Sequence, residues 1–134
     1  MNFNKERFGM CAFALRYCRV CLEDSVSFAR QRKTFGKRLI DHQVIRHKIV
    51  EMASRISASE AFLEALAAQM DAGTPDQITA GSFALCKTQL SRTLEYCARE
   101  SAQVFGGNSF VRGGKGERIE RINREVRVFV VGGG

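Results

Sequence analysis

The middle of the chain places an apolar or small residue every three or four positions. Ile45, Ile49, Met52, Ile56, Ser59, Leu63, Leu66 and Met70 recur at alternating intervals of four and three. That spacing draws one narrow stripe along a long helix, the seam of a bundle. Phe83, Cys86, Leu90, Leu94, Cys97, Ser101 and Val104 repeat the pattern and predict a second long helix. Upstream, residues 4–32 predict another. Met10, Phe13, Tyr17 and Val20 mark its stripe, widened by Ala14, Leu15, Leu22, Val26 and Phe28.

Breakers set the boundaries. The loop from Thr34 to Ile40 contains Gly36, and Asp41 is the expected N-cap of the next helix. Gly73 ends that helix, and Thr74-Pro75 starts another, with Thr as cap and Pro in the first turn. Gly106-Gly107 stops it. A glycine-rich loop to Gly116 precedes a short polar helix over Glu117–Arg127, and the apolar Val128–Val131 then runs into Gly132-Gly133-Gly134. The expected fold is all-α: an antiparallel up-down bundle of three long helices and one short one. The apolar end calls for a further covering helix, so the chain reads as a fragment of a longer protein.

Composition narrows the function classes. The chain has 134 residues, one domain by size. Its net charge of +7 favours phosphate-bearing or other anionic partners. Acidic residues interrupt the basic ones, so no disordered basic arm is expected. No apolar run approaches the ~18 residues of a membrane span, and Met1–Met10 lacks a secretory signal core. Five cysteines without a signal sequence point to reduced thiols in an intracellular compartment.

Individual residues carry weak signals on their own. Cys18-x-x-Cys21 has no second pair and lies inside a predicted helix, so structural thiols are expected and no metal site. His42 and His47 lack metalloprotease spacing. Arg30, Arg32, Lys33, Lys37 and Arg38 cluster around the first loop, as a solvated basic turn or a phosphate site. Glu6, beside Lys5 and Arg7, is an ordinary acid for a helix start.

Three segments together are more specific. Gln31-Arg32-Lys33-Thr34-Phe35-Gly36 with His42-Gln43 resembles the Arg-x-x-Phe-Gly…His-Gln signature of acyl-CoA dehydrogenases. Gln103-Val104-Phe105-Gly106-Gly107 resembles that family's Gln-x-x-Gly-Gly motif. Arg124-Glu125-Val126-Arg127 resembles its Arg-Asp-Ala-Arg/Lys segment. The resemblance covers essentially the whole chain. It implies the family's C-terminal helical-bundle domain without its final helix, the N-terminal helical and middle β domains lying outside 1–134.

The resemblance also implies chemistry. The parent is expected to be an FAD-dependent acyl-CoA dehydrogenase of fatty acid metabolism, passing electrons to an electron-transfer flavoprotein, while the fragment alone is expected to be inactive. By motif match, Arg32, Thr34 and Phe35 face the pyrophosphate and adenine end of FAD, and Leu39, His42 and Gln43 make further flavin contacts. Gln103, Val104, Gly106 and Gly107 match the site that takes the dimer partner's cofactor, in a homodimer or homotetramer.

Most members place the catalytic glutamate where this chain has Gly133. Isovaleryl-CoA and long-chain acyl-CoA dehydrogenases place it early in the first bundle helix, before an arginine, which matches Glu6 and Arg7. Glu6 is thus the expected base. Asn4 and Arg7 match positions that contact the CoA moiety, with Asn4 standing where the family more usually has an acid. The Gly133 backbone N–H is expected at the thioester carbonyl of the substrate. The alternatives are an acyl-CoA oxidase-like or otherwise diverged member, and a non-catalytic basic helical interaction module. No nucleic-acid partner and no transmembrane segment are expected. The mitochondrial matrix and the bacterial cytoplasm both fit.

Overall fold

The computed structural model describes residues 3–132, and within them the all-α expectation holds. Helix α1 spans Phe3–Gln31, α2 Gln43–Asp71, α3 Asp76–Phe105 and α4 Glu117–Val131. Successive helices run antiparallel, and α3 packs against the other three. Between α1 and α2 lie two short strands, β1 (Lys33–Thr34) and β2 (Lys37–Arg38), and a 3₁₀ turn at Leu39–Asp41. A second 3₁₀ turn, Gly106–Phe110, follows α3.

The α2 and α3 seams are as the periodicity predicts. Met52, Ile56, Ser59, Leu63 and Leu66 are buried, as are all seven positions of the α3 stripe. Ser59 Oγ and Thr93 Oγ1 meet at 3.2 Å inside this seam. Each buried hydroxyl thereby has a partner. An ion pair between Lys48 and Glu100 closes the seam at the hairpin end.

The α1 stripe holds in part, with Ala14 and Val20 buried and Tyr17 packed on the core, and is corrected at Phe13. Phe13 is 66% exposed, and the face that meets α3 is Cys11, Ala14, Cys18, Cys21, Ser25 and Ala29. These small side chains let the α1 and α3 backbones approach closely. The larger residues are displaced toward α4, where Tyr17 meets Phe129 edge to face at 5.1 Å. Aromatic pairs close both ends of the α1–α3 seam: Phe8 on Phe83 at 6.3 Å and Phe28 stacked on Phe105 at 4.3 Å. The Phe8–Phe83 separation lies in the range where ring pairs attract.

Helix ends supply the other corrections. His42, not Asp41, is the N-cap of α2, and its side chain caps nothing. Asp41 instead takes both arms of the Arg38 guanidinium, at 2.9 and 3.0 Å. That fork holds its carboxyl below the usual carboxylate range. Pro75, not Thr74, is the cap of α3. Helix α4 continues past Arg127 to Val131 because α3 provides donors for its last turn, whose carbonyls have no intrahelical partner. Lys87 Nζ donates to Val130 O at 2.8 Å, and the Ser91 hydroxyl is shared between Lys87 O at 2.8 Å and Phe129 O at 3.1 Å.

All five cysteines are free and buried. Burial pushes the Cys21 thiol up to about 12, against a hydrogen bond from Ser101 that lowers it. The hydrogen bond to Cys97, then burial, raises Cys18. Thiolate is the reactive form. Labelling of Cys18 and Cys21 by a thiol reagent at neutral pH should therefore be slow in the folded protein and fast in denaturant. Fast native labelling would show the seam to be open.

Gly116 is fixed by space. A Cβ there would meet the Asn108 carbonyl oxygen at 2.4 Å, a backbone atom that cannot turn aside. Gly116→Ala should cost about 1–3 kcal/mol in a urea titration, as overpacking does. A change within error would mean that the loop shifts freely.

Candidate functional site

Two regions at opposite ends of the bundle carry the candidate residues. The first is the hairpin that joins α1 to α2. Lys33 pairs with Arg38 and Thr34 with Lys37, leaving Phe35-Gly36 as a two-residue turn. Both turn residues have positive φ, 52° and 79°. A type I′ turn requires that sign at both positions. Glycine adopts the conformation freely, whereas for phenylalanine it is strained by about 1–3 kcal/mol. The Phe35 side chain buries almost no surface in return, being 97% exposed.

Around that tip, Arg30, Arg32, Lys33 and Lys37 are exposed, and none has an ion-pair partner among the described residues. Arg38 is occupied by Asp41. His42 braces the hairpin from below. Its Nε2 lies 3.0 Å from Thr34 Oγ1 and 3.3 Å from Thr34 O. A carbonyl only accepts, so the tautomer carrying Nε2–H serves both. The Phe35 and His42 rings stand edge to face at 6.2 Å. Leu39 is half-buried and packs with Ile40 onto Ala29, Ile45 and Val104. Gln43, the first residue of α2, is exposed.

That apolar cluster brings the end of α3 to the same place. Val104 is buried within it, while Gln103, Gly106 and Gly107 are exposed. Gly106 has φ 56° and ψ −134°. That conformation is open essentially to glycine alone. A Cβ at Gly106 or Gly107 would meet nothing within 4 Å. Internal packing thus does not require these glycines to be bare, and their exposed backbone is open to a ligand.

The second region is the start of α1. Glu6 is exposed and Arg7 half-buried. Asn4 is buried, its carboxamide turned onto the first turn of α3. Gly133 lies outside the described residues. From Glu6 to Gln31 the helix rises about 38 Å, so the base candidate and the hairpin cannot meet within one chain.

The arginines of α4 form no free basic face. Arg118 pairs with Asp24, Arg121 with Glu125, Arg124 with Glu120 and Arg127 with Glu95. Among the described residues no group of three or more His, Cys, Asp or Glu side chains could hold a metal ion. No helix of the described residues is long and apolar enough to cross a membrane.

Residues 1–134 match the family model described as acyl-CoA dehydrogenase, C-terminal domain. An acyl-CoA dehydrogenase of Alternaria alternata is 40% identical over 99% of this chain, which covers 32% of that protein. A subunit of the caffeyl-CoA reductase–Etf complex of Acetobacterium woodii is 27% identical over 93% of the chain and 31% of its own length. A solved structure of a probable acyl-CoA dehydrogenase from Mycobacterium abscessus superposes with a TM-score of 0.91. It shares 31% identity, and the match covers 99% of this chain and 34% of that one. The chain spans about a third of the length of these relatives.

Proposed function

Because the chain belongs to the acyl-CoA dehydrogenase family, as its C-terminal domain, we propose that it completes the cofactor and substrate sites of an FAD-dependent acyl-CoA dehydrogenase. The observation that carries this reading is the hairpin tip. A strained, fully exposed Phe35 stands among four cations that have no ion-pair partner among the described residues. An aromatic face beside guanidinium forks suits a ligand that joins flat rings to a pyrophosphate.

The residues present fit FAD. Arg32 has the planar fork that binds phosphate oxygens in pairs. Thr34 and His42 are held to each other, so the hairpin is set in shape before a ligand arrives. Gly106 and Gly107 offer backbone without side chains in the way. Bound there, the flavin supplies the hydride acceptor for the β-carbon of the acyl group.

The chain's own contribution to the chemistry is Glu6. A carboxylate oxygen takes the proton from the acyl α-carbon, which the thioester carbonyl acidifies. Arg7, beside it, suits an anionic group of the CoA moiety, and the Gly133 backbone N–H suits the thioester oxygen. The helix rise between Glu6 and the hairpin, about 38 Å, exceeds the length of one flavin dinucleotide. Each bundle therefore serves two flavins in the proposal: its own at Glu6 and its dimer partner's at the hairpin and the Gly106-Gly107 turn. The N-terminal helical and middle β domains belong to the same enzyme, outside 1–134, and this chain alone does not dehydrogenate. An electron-transfer flavoprotein takes the electrons, a partner class supported by the Etf complex of the Acetobacterium woodii relative. The ion pairs along α4 count against a nucleic-acid module, since they consume its arginines.

The test is anaerobic titration of the full-length enzyme with a panel of acyl-CoAs while the oxidised flavin absorbance is followed. Bleaching by at least one thioester is expected, and a protein that holds no flavin would sink the reading. Arg32→Ala should weaken flavin retention by about 10- to 100-fold, the worth of a charge-assisted hydrogen bond of roughly 1.5–3 kcal/mol. Unchanged affinity would remove Arg32 from the cofactor site.

A further inference from the structure

The first turn of α1 carries Glu6 and Arg7, and an asparagine two residues before Glu6 ties that turn to α3. Asn4 is 5% exposed. Its Nδ2 donates to Asp76 O at 3.0 Å and lies 3.3 Å from Thr79 Oγ1. Thr79 is 2% exposed, and its hydroxyl donates to Asp76 O at 3.4 Å, which leaves an oxygen lone pair to receive the Asn4 N–H. Both partners are more than seventy positions away in the chain. The contact therefore joins the start of one helix to the start of another.

A helix start needs such a tie. Its first N–H groups have no intrahelical acceptor, and a terminal turn frays unless something holds it. On a helix, positions two apart point about 200° from each other. Asn4 accordingly faces inward and Glu6 outward. Anchoring the inward side chain holds the first turn of α1 against α3, and with it the direction in which Glu6 points. The chemistry of the anchor is specific. The groups it meets include the Asp76 carbonyl and, at 3.5 Å, the Asp76 carboxylate, both acceptors. A carboxamide donates to them, whereas an ionised carboxylate at position 4 cannot and would repel the acid.

We infer that Asn4 is a positioning residue for Glu6, aiming the base through its bond to the first turn of α3. The inference rests on the reading of Glu6 as the base. A misplacement of about 1 Å costs up to roughly 10²-fold in rate.

The experiment is rapid-mixing reduction of the full-length enzyme by saturating acyl-CoA, expressed per bound flavin. Asn4→Ala and Asn4→Asp should each lower the limiting rate by about 10- to 100-fold, with the acyl-CoA dissociation constant unchanged. Thr79→Val, which removes the other acceptor of the Asn4 carboxamide, should lower the rate in the same direction by a smaller factor. Weaker acyl-CoA binding at an unchanged limiting rate would overturn the inference and make Asn4 a CoA contact. No loss in Asn4→Ala, or a loss in Asn4→Ala with none in Thr79→Val, overturns it too. Glu6→Gln measured in parallel separates the failures. If it leaves the rate unchanged, the base assignment falls and takes this role with it. If it alone stops reduction while Asn4→Ala does not, only the positioning role is overturned.

Discussion

Glu6→Gln in the full-length enzyme should slow flavin reduction by an acyl-CoA about 10²- to 10⁴-fold while the flavin stays bound. That is the usual worth of a positioned general base, about 3–5 kcal/mol of barrier. Glutamine keeps the size and the hydrogen-bonding oxygen of the side chain and removes only the proton acceptor. Structure should survive the change, because Glu6 is exposed and lies in the first turn of its helix. Its favourable interaction with the helix dipole there amounts to about 0.3–1 kcal/mol. Stopped-flow absorbance reads the rate, and the visible flavin spectrum before mixing reads cofactor loading. Equal rates in parent and variant would place the base elsewhere in the enzyme and leave Glu6 as a solvated acid.

Phe83→Ala should destabilise the bundle by about 3–5 kcal/mol. Phe83 is fully buried on α3 and meets the Phe8 ring edge to face. Removing it leaves a cavity between α1 and α3 that close-packed neighbours cannot collapse to fill. Set against a total of about 5–15 kcal/mol for a domain, that is a large share. Urea titration of the two proteins measures it. Phe13→Ala is the matched control, the same chemistry at an exposed position. Its stability is expected to stay within about 0.5 kcal/mol of the parent. A comparable loss at both sites would mean that α1 is turned differently on α3.

The contrast between those two phenylalanines shows where sequence pattern stops being informative. Periodicity locates the seams of α2 and α3 because large apolar residues occupy them in register. On α1 most of the buried positions are cysteine, alanine and serine, which hydrophobic size does not single out. Closeness to α3 selects them, and that is a property of the pair. The exit of α4 is similar. Its continuation to Val131 depends on donors from Lys87 and Ser91, some forty residues earlier in the chain.

The candidate site divides the same way. Residue identity alone marks the basic cluster around Phe35-Gly36, the Gly106-Gly107 turn and the Glu6-Arg7 pair, because forks, bare backbone and a carboxylate are chemical facts carried by the letters. Bundle class follows from the letters too, since a repeat of three and four admits no other way to bury its stripe. Only the tertiary structure shows that Phe35 is held strained and exposed, since backbone dihedrals arise from the β1–β2 pairing around it. Only it gives Asn4 a buried bond to α3, and joins the hairpin to the end of α3 through Val104. These are contacts between residues distant in the chain, which hydrogen-bond geometry and packing settle and no local spacing records.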